Sequence, residues 1–240
     1  MSATRRTETF PTGDTRCSIT VSMASGQIEV RAFDAQHVTV DLESHHADLW
    51  EISRFGDTVA IHAPRRRSGK SARLSLQLPT GTNIRIDAAS ADMVMHGTLG
   101  DVRVRTASGD LRADDVERID FGSASGDVKV RTVTGRVVAS TASGDVRADR
   151  VGGDCQCGTA SGDVRIDRCD GDAIDVKTVS GNIQLGLPAG IRVDPDIATL
   201  SGRTRMPTPR PAVAGDTPRR NVRVRLRAVS GDITIERVDG

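Results

Sequence analysis

The chain has no tyrosine, one tryptophan and four phenylalanines among its 240 residues. That excludes a thick core built on aromatic plates and favours thin layers of small β-branched side chains. Net charge is lacking too: 33 basic against 32 acidic residues leave +1, so no global field draws the protein to nucleic acid or anionic lipid. No apolar run reaches the roughly 18 residues of a membrane-spanning helix. Met1 to Phe10 (MSATRRTETF) carries charge but no apolar stretch of the kind a signal peptide needs. These absences predict a soluble, cytoplasmic protein. The cysteines are only four, Cys17, Cys155, Cys157 and Cys169, and without an export signal they are expected to stay reduced.

Glycine, by contrast, is abundant at 24 residues, and it is periodic. Ser-Gly pairs fall at Ser108-Gly109, Ser125-Gly126, Ser143-Gly144, Ser161-Gly162 and Ser180-Gly181, in steps of 17, 18, 18 and 19 residues. Weaker copies (Gly100-Asp101, Gly135-Arg136, Gly153-Asp154, Gly171-Asp172) lie nine residues from a Ser-Gly glycine. The unit is nine residues, doubled.

After each glycine, apolar and charged letters alternate, as in Asp127-Val128-Lys129-Val130 and Asp145-Val146-Arg147-Ala148. This is a strand with one apolar face. The parity fails across each Ser-Gly, so the chain must turn there. Gly109, Gly126, Gly144, Gly162 and Gly181 supply a permissive backbone, and Asp110, Asp127, Asp145 and Asp163 supply local side-chain hydrogen bonds at the corner. An antiparallel meander has no reason to resemble itself better at 18 residues than at nine. A two-sided coil places each residue above its counterpart 18 positions on. The fold expected is therefore all-β, a β-solenoid or parallel β-helix-like stack of two-strand coils, each unable to bury its apolar face alone. One inward column is Leu111, Val128, Val146, Val164 and Ile183, and the other is Val102, Val137, Cys155 and Ile174. Cys155, Cys157 and Cys169 occupy slots held elsewhere by valine, as small buried hydrophobes.

Residues 1–88 read as an N-terminal β segment that caps the stack, with strands at 37–42, 57–62 and 72–78 and with Trp50, Phe33 and Phe10 plugging its end. Residues 89–240 carry the repeat, interrupted by a Pro- and Arg-rich loop at 203–222. Val229 to Ile235 (VSGDITI) resumes the pattern as a final strand.

The recurring Thr-Ala-Ser-Gly-Asp-(Val/Leu), at Thr106 to Leu111, Thr141 to Val146 and Thr159 to Val164, together with Thr7-Glu8-Thr9-Phe10, resembles the bacterial DUF4097 family over about residues 7 to 236. Members of that family also carry the label "putative adhesin". The resemblance implies a β-strand repeat fold and brings no catalytic or binding residues with it.

Calcium-binding β-rolls also use nine-residue Gly-Asp units, but they need several glycines and a spaced carboxylate per unit, which are missing here. The corner aspartates are instead expected to cap turns, with their mutual repulsion offset by Arg112, Lys129, Arg147 and Arg165 on the same face. The five histidines (His37, His45, His46, His62, His96) scatter through the front half, and no nucleophile–base set stands out. No enzyme, cofactor or metal is expected. Two basic segments could grip phosphates, through Arg65, Arg66 and Arg67 and through Arg219 and Arg220, but without interleaved aromatics nucleic acid is not the expected partner. The function expected is a non-enzymatic scaffold or protein-interaction module. The alternatives are a self-assembling structural protein and a polyanion binder acting through the basic loops.

Overall fold

The computed structural model describes residues 3–13, 16–64, 71–207 and 220–238. Over these residues the chain is nearly all β, with one 3-10 turn at Ala47–Leu49 and nineteen strands joined into a single open sheet. The sheet is continuous because three long strands, β2 (Ser18–Phe33), β7 (Asn83–Ser108) and β8 (Leu111–Ser125), run through corners and contribute to two faces.

The first face holds β4 (Glu51–Phe55), β5 (Thr58–His62), the start of β2, both ends of β7, the end of β8, β10 (Val137–Ser143), β12 (Cys155–Ser161), β14 (Ala173–Ser180), β18 (Asn221–Ser230) and β16 (Arg192–Ser201). The second holds β1 (Thr4–Pro11), β3 (His37–Ser44), β6 (Ser71–Pro79), the end of β2, the middle of β7, the start of β8, β9 (Val128–Val133), β11 (Val146–Val151), β13 (Val164–Cys169), β15 (Ile183–Pro188), β19 (Ile233–Val238) and β17 (Thr204–Arg205).

Throughout the repeat the pairing is parallel, and repeat aligns with repeat. Val137 pairs with Cys155, and Val146 pairs with both Val128 and Val164. Among the described residues no repeat unit pairs with its successor as an antiparallel hairpin. Antiparallel pairs among these residues occur near the N-terminus, at β1–β3, β3–β6 and β4–β5, where Gly56 turns the β4–β5 hairpin with a φ of 58°.

The inward column Leu111, Val128, Val146, Val164 and Ile183 is buried in one register, as is Val102, Val137, Cys155 and Ile174 on the other face. A member of the second column that the glycine spacing does not reveal is Ile119, between Val102 and Val137. It belongs to a coil in which Glu117 stands at the position held by the half-repeat glycine in the Gly100 and Gly135 coils. At the blunt end Trp50 is buried and Phe10 packs on the core, but Phe33 is 42% exposed. Parity accounts for the correction: Ile28 and Val30 face inward along β2, which turns Phe33 outward.

Sequence order is not spatial order at the C-terminus. Strand β18 lies between β14 and β16, and β19 lies between β15 and β17. The last coil is thus inserted beneath the one that precedes it in the chain, which absorbs the irregular spacing of the final two Ser-Gly pairs. Complementary charges line up at this placement. Arg225 on β18 lies 3.1 Å from Asp196 of β16 and 3.9 Å from Asp175 of β14, and Arg227 reaches Asp196 at 3.0 Å. Arg227 first, then Arg225, hold the Asp196 carboxyl below its ordinary range. An analogous reordering occurs at the other end, where β2 is flanked by β5 and β6 on one side and by β7 on the other.

Candidate binding surface

The Ser-Gly-Asp corners stack into one column, and each residue type has its own job. A Cβ on Gly144 would lie 2.2 Å from the carbonyl oxygen of Gly126 in the adjacent rung, closer than any real Cβ contact, and Gly109 also adopts φ 135°. Glycine is required because neighbouring backbones touch here.

The aspartates form a directional ladder. The backbone N–H of Asp127 donates to Asp110 Oδ1 at 3.0 Å, that of Asp145 to Asp127 Oδ1 at 2.8 Å, and that of Asp163 to Asp145 Oδ1 at 2.9 Å. Asn182 and Asp232 extend the same chain: the Asn182 N–H donates to Asp163 Oδ1 at 2.7 Å, and the Asp232 N–H to Asn182 Oδ1 at 3.0 Å. The strand ladder breaks at a corner, and the side chain satisfies the N–H that would be left without a partner.

Arginine plays a smaller part than the face pattern implies. Arg147 pairs with Asp145 at 3.0 Å and Arg112 approaches Asp110 at 3.9 Å, but Arg165 turns to Asp167 at 2.7 Å. Backbone amides are the main partners of the ladder, and the arginines are auxiliary.

All four cysteines are free and buried. Cys155 Sγ and Cys157 Sγ lie 3.4 Å apart on one strand. The hydrogen bond between them, then burial, pushes the Cys155 thiol far above its ordinary range, and burial raises Cys169 to about 11. Such thiols are poor nucleophiles and poor metal ligands. No group of three or more His, Cys, Asp or Glu side chains arranged to hold a metal ion occurs among the described residues. Of the basic segments, Arg65, Arg66, Arg67 and Arg219 lie outside the described residues. Arg220 is paired with Asp172 at 2.9 Å.

Parallel repeats paired across a full coil, over nearly the whole chain, are the setting for comparison with known proteins. The model of the family described as Toastrack DUF4097 matches residues 50–236. The chain belongs to the Toastrack DUF4097 family. No curated protein matches it. Among solved structures, that of a "putative adhesin" from Bacteroides fragilis superposes with a TM-score of 0.59 at 14% identity, over 98% of this chain and 97% of that one. A "putative lipid binding protein" from Parabacteroides distasonis gives 0.47 at 14% identity, over 98% and 96%. The first likeness shows that the Toastrack fold is shared from end to end. In this Toastrack chain no helix among the described residues is long and apolar enough to cross a membrane.

The outward faces carry what remains for function. Alternation leaves Arg, Lys, Asp, Gln and Thr in rows on the second face, where a groove of about 630 Å³ is lined by Lys129, Arg147, Arg165, Gln184 and Thr234 among others. A groove of about 600 Å³ lies on the first face. The corner beside the Ser-Gly column changes along the stack from Ala107, Ala124, Ala142 and Ala160 to Val179, Val229 and Leu200, the last 86% exposed.

Proposed function

We propose that this Toastrack chain is a non-enzymatic β-solenoid, a rigid scaffold whose outward faces bind a partner. The observation that carries the reading is how the carboxylates are used. Those of the corner column are each consumed by a backbone N–H of the adjacent rung, so they do not converge on a reacting atom as catalytic groups must. The parallel pairing of whole repeats supports the solenoid form. Within residues 1–88, β2, β5 and β6 serve as the first rungs, and β1, β3, β4 and Trp50 as the cap. Buried, free thiols fit a reducing compartment.

Self-assembly by growth of the stack is the weaker alternative. Edge strand β16, paired only to β18 among the described residues, carries Pro195 between Asp194 and Asp196. A missing N–H and two charges are devices that keep a free edge from recruiting another strand.

The test is affinity capture from the native cell with the wild-type chain and with an Arg147→Ser, Arg165→Ser variant of unchanged circular dichroism. A protein held by the wild type and lost by the variant supports docking on the second face. Equal capture by both refutes that assignment.

A further inference from the structure

The groove on the first face spans five successive rungs: the start of β2, the start of β7, its end, the end of β8, and β10. The Asp101 N–H donates to Asn83 Oδ1 at 2.8 Å, which sets the two ends of β7 side by side. Arg103 then pairs in register with Asp120, Asp101 with Arg118, and Ile119 with Val137. Arg85, Arg103, Arg118 and Arg136 all line the groove, and this register puts one of them on each of the four rungs beyond β2. Successive guanidinium groups therefore advance along the stack by about 4.8 Å per step.

The lining carries these four cations against two carboxylates, Asp101 and Asp120. Three of the arginines rest in surface ion pairs: Arg85 with Asp87 at 3.0 Å, Arg103 with Asp120 at 3.0 Å and Arg118 with Asp101 at 2.7 Å. Pairs this exposed contribute little and exchange partners readily. Arg136 donates to Gln156 Oε1 at 2.9 Å and has no carboxylate partner among the described residues.

We infer that this groove binds a linear acidic polysaccharide laid along the stack axis, its anionic groups meeting the arginines of successive rungs. The inference rests on the scaffold reading and names the partner of one face. Cations set one to a rung, in two columns two residues apart along the strands, fit a polymer with regularly repeated negative charge. Asp101 and Asp120 narrow the class: sugar hydroxyls donate to carboxylates, whereas a polyphosphate offers only acceptors that they repel. No aromatic residue lines the groove to stack a base.

Polygalacturonate, immobilised, is the probe. The wild-type chain is expected to bind it with a log–log salt slope of about 3, as four released counterions imply. Soluble polyglutamate and single-stranded poly(dT) are expected to compete at least tenfold more weakly than soluble polygalacturonate. The Arg118→Ser, Arg136→Ser variant should lose at least tenfold in affinity. Arg136→Ser alone, which breaks no ion pair, should lose about threefold, and it tests the groove if the double variant fails to fold. Replacing Arg65, Arg66 and Arg67 by Ser should change nothing. The inference is overturned if the wild type is not retained, if Arg136→Ser binds as the wild type does, if the Arg65–67 variant is the one that loses binding, or if polyglutamate or poly(dT) competes equally. Should polygalacturonate fail while a protein is still captured through the second face, the scaffold reading survives and this assignment falls.

Discussion

At the scale of single residues, Asp145 acts as an acceptor of one hydrogen bond more than as a charge. Its Oδ1 takes the Asp163 N–H at 2.9 Å, and Asn182 performs the same task two rungs further on with an amide oxygen. Asp145→Asn is therefore expected to keep the fold within about 0.5 kcal/mol, whereas Asp145→Ala, which strands the N–H, should cost about 1–2 kcal/mol. Urea unfolding of the two variants checks this. Equal losses would mean that charge, not acceptance, is what the corner needs. Cys169 yields a pH prediction. Burial raises its folded pKa from the ordinary 9.0 to about 11, so the folded chain holds a proton that the unfolded chain releases first. The stability this group contributes is whole below pH 9 and is lost as pH rises towards 11. At full effect the loss is on the order of 2 kcal/mol. Cys169→Val, as at the equivalent Val151, should flatten the decline of the unfolding midpoint between pH 9 and 11. A slope unchanged by the substitution would show that Cys169 does not titrate there.

At the scale of elements, rungs depend on one another. Val146 is buried between Val128 and Val164, and a carboxylate in its place would have no partner. Val146→Asp should cost several kcal/mol and, because each coil buries its apolar edge only against its neighbours, should unprotect β9, β11 and β13 together in hydrogen exchange. Loss of protection confined to β11 would contradict this. The strands and their inward columns are legible in the sequence because alternation and Ser-Gly spacing are local signals, and Cys155, Cys157 and Cys169 are recognisable as core because each stands where a valine stands elsewhere. Phe33 is misplaced as a plug because aromaticity is weighed there above parity. The corner amides that hold the aspartates are invisible from composition, which offers arginine as the obvious partner and says nothing of a backbone N–H. The arginine set of the first face is also missed: its members come from unlike positions, Arg85 and Arg103 within strands but Arg118 and Arg136 at half-repeat corners, and only the order of the rungs puts one on each of four successive rungs.

At the scale of the whole molecule, the insertion of β18–β19 is what local signals cannot reveal. Nothing in the repeat states which coil follows which, although Arg225 and Arg227 opposite Asp175 and Asp196 record the answer in charge. Both proposed docking faces depend on rung order, since order decides which side chains line up along the axis. The second face offers a direct ruler: Arg112, Lys129, Arg147, Arg165, Gln184, Thr234 and Arg205 occupy equivalent outward positions on successive rungs. The decisive measurement is pulsed electron paramagnetic resonance between a nitroxide at position 112 and a second one placed in turn at 165, 184, 234 and 205. Backbone separations should grow by about 4.8 Å per rung, reaching roughly 14, 19, 24 and 29 Å, with position 205 farther than 234 although it comes earlier in the chain. Separations that follow sequence order, with 205 nearer than 234, or that fail to grow steadily, would contradict the stacked, reordered coil.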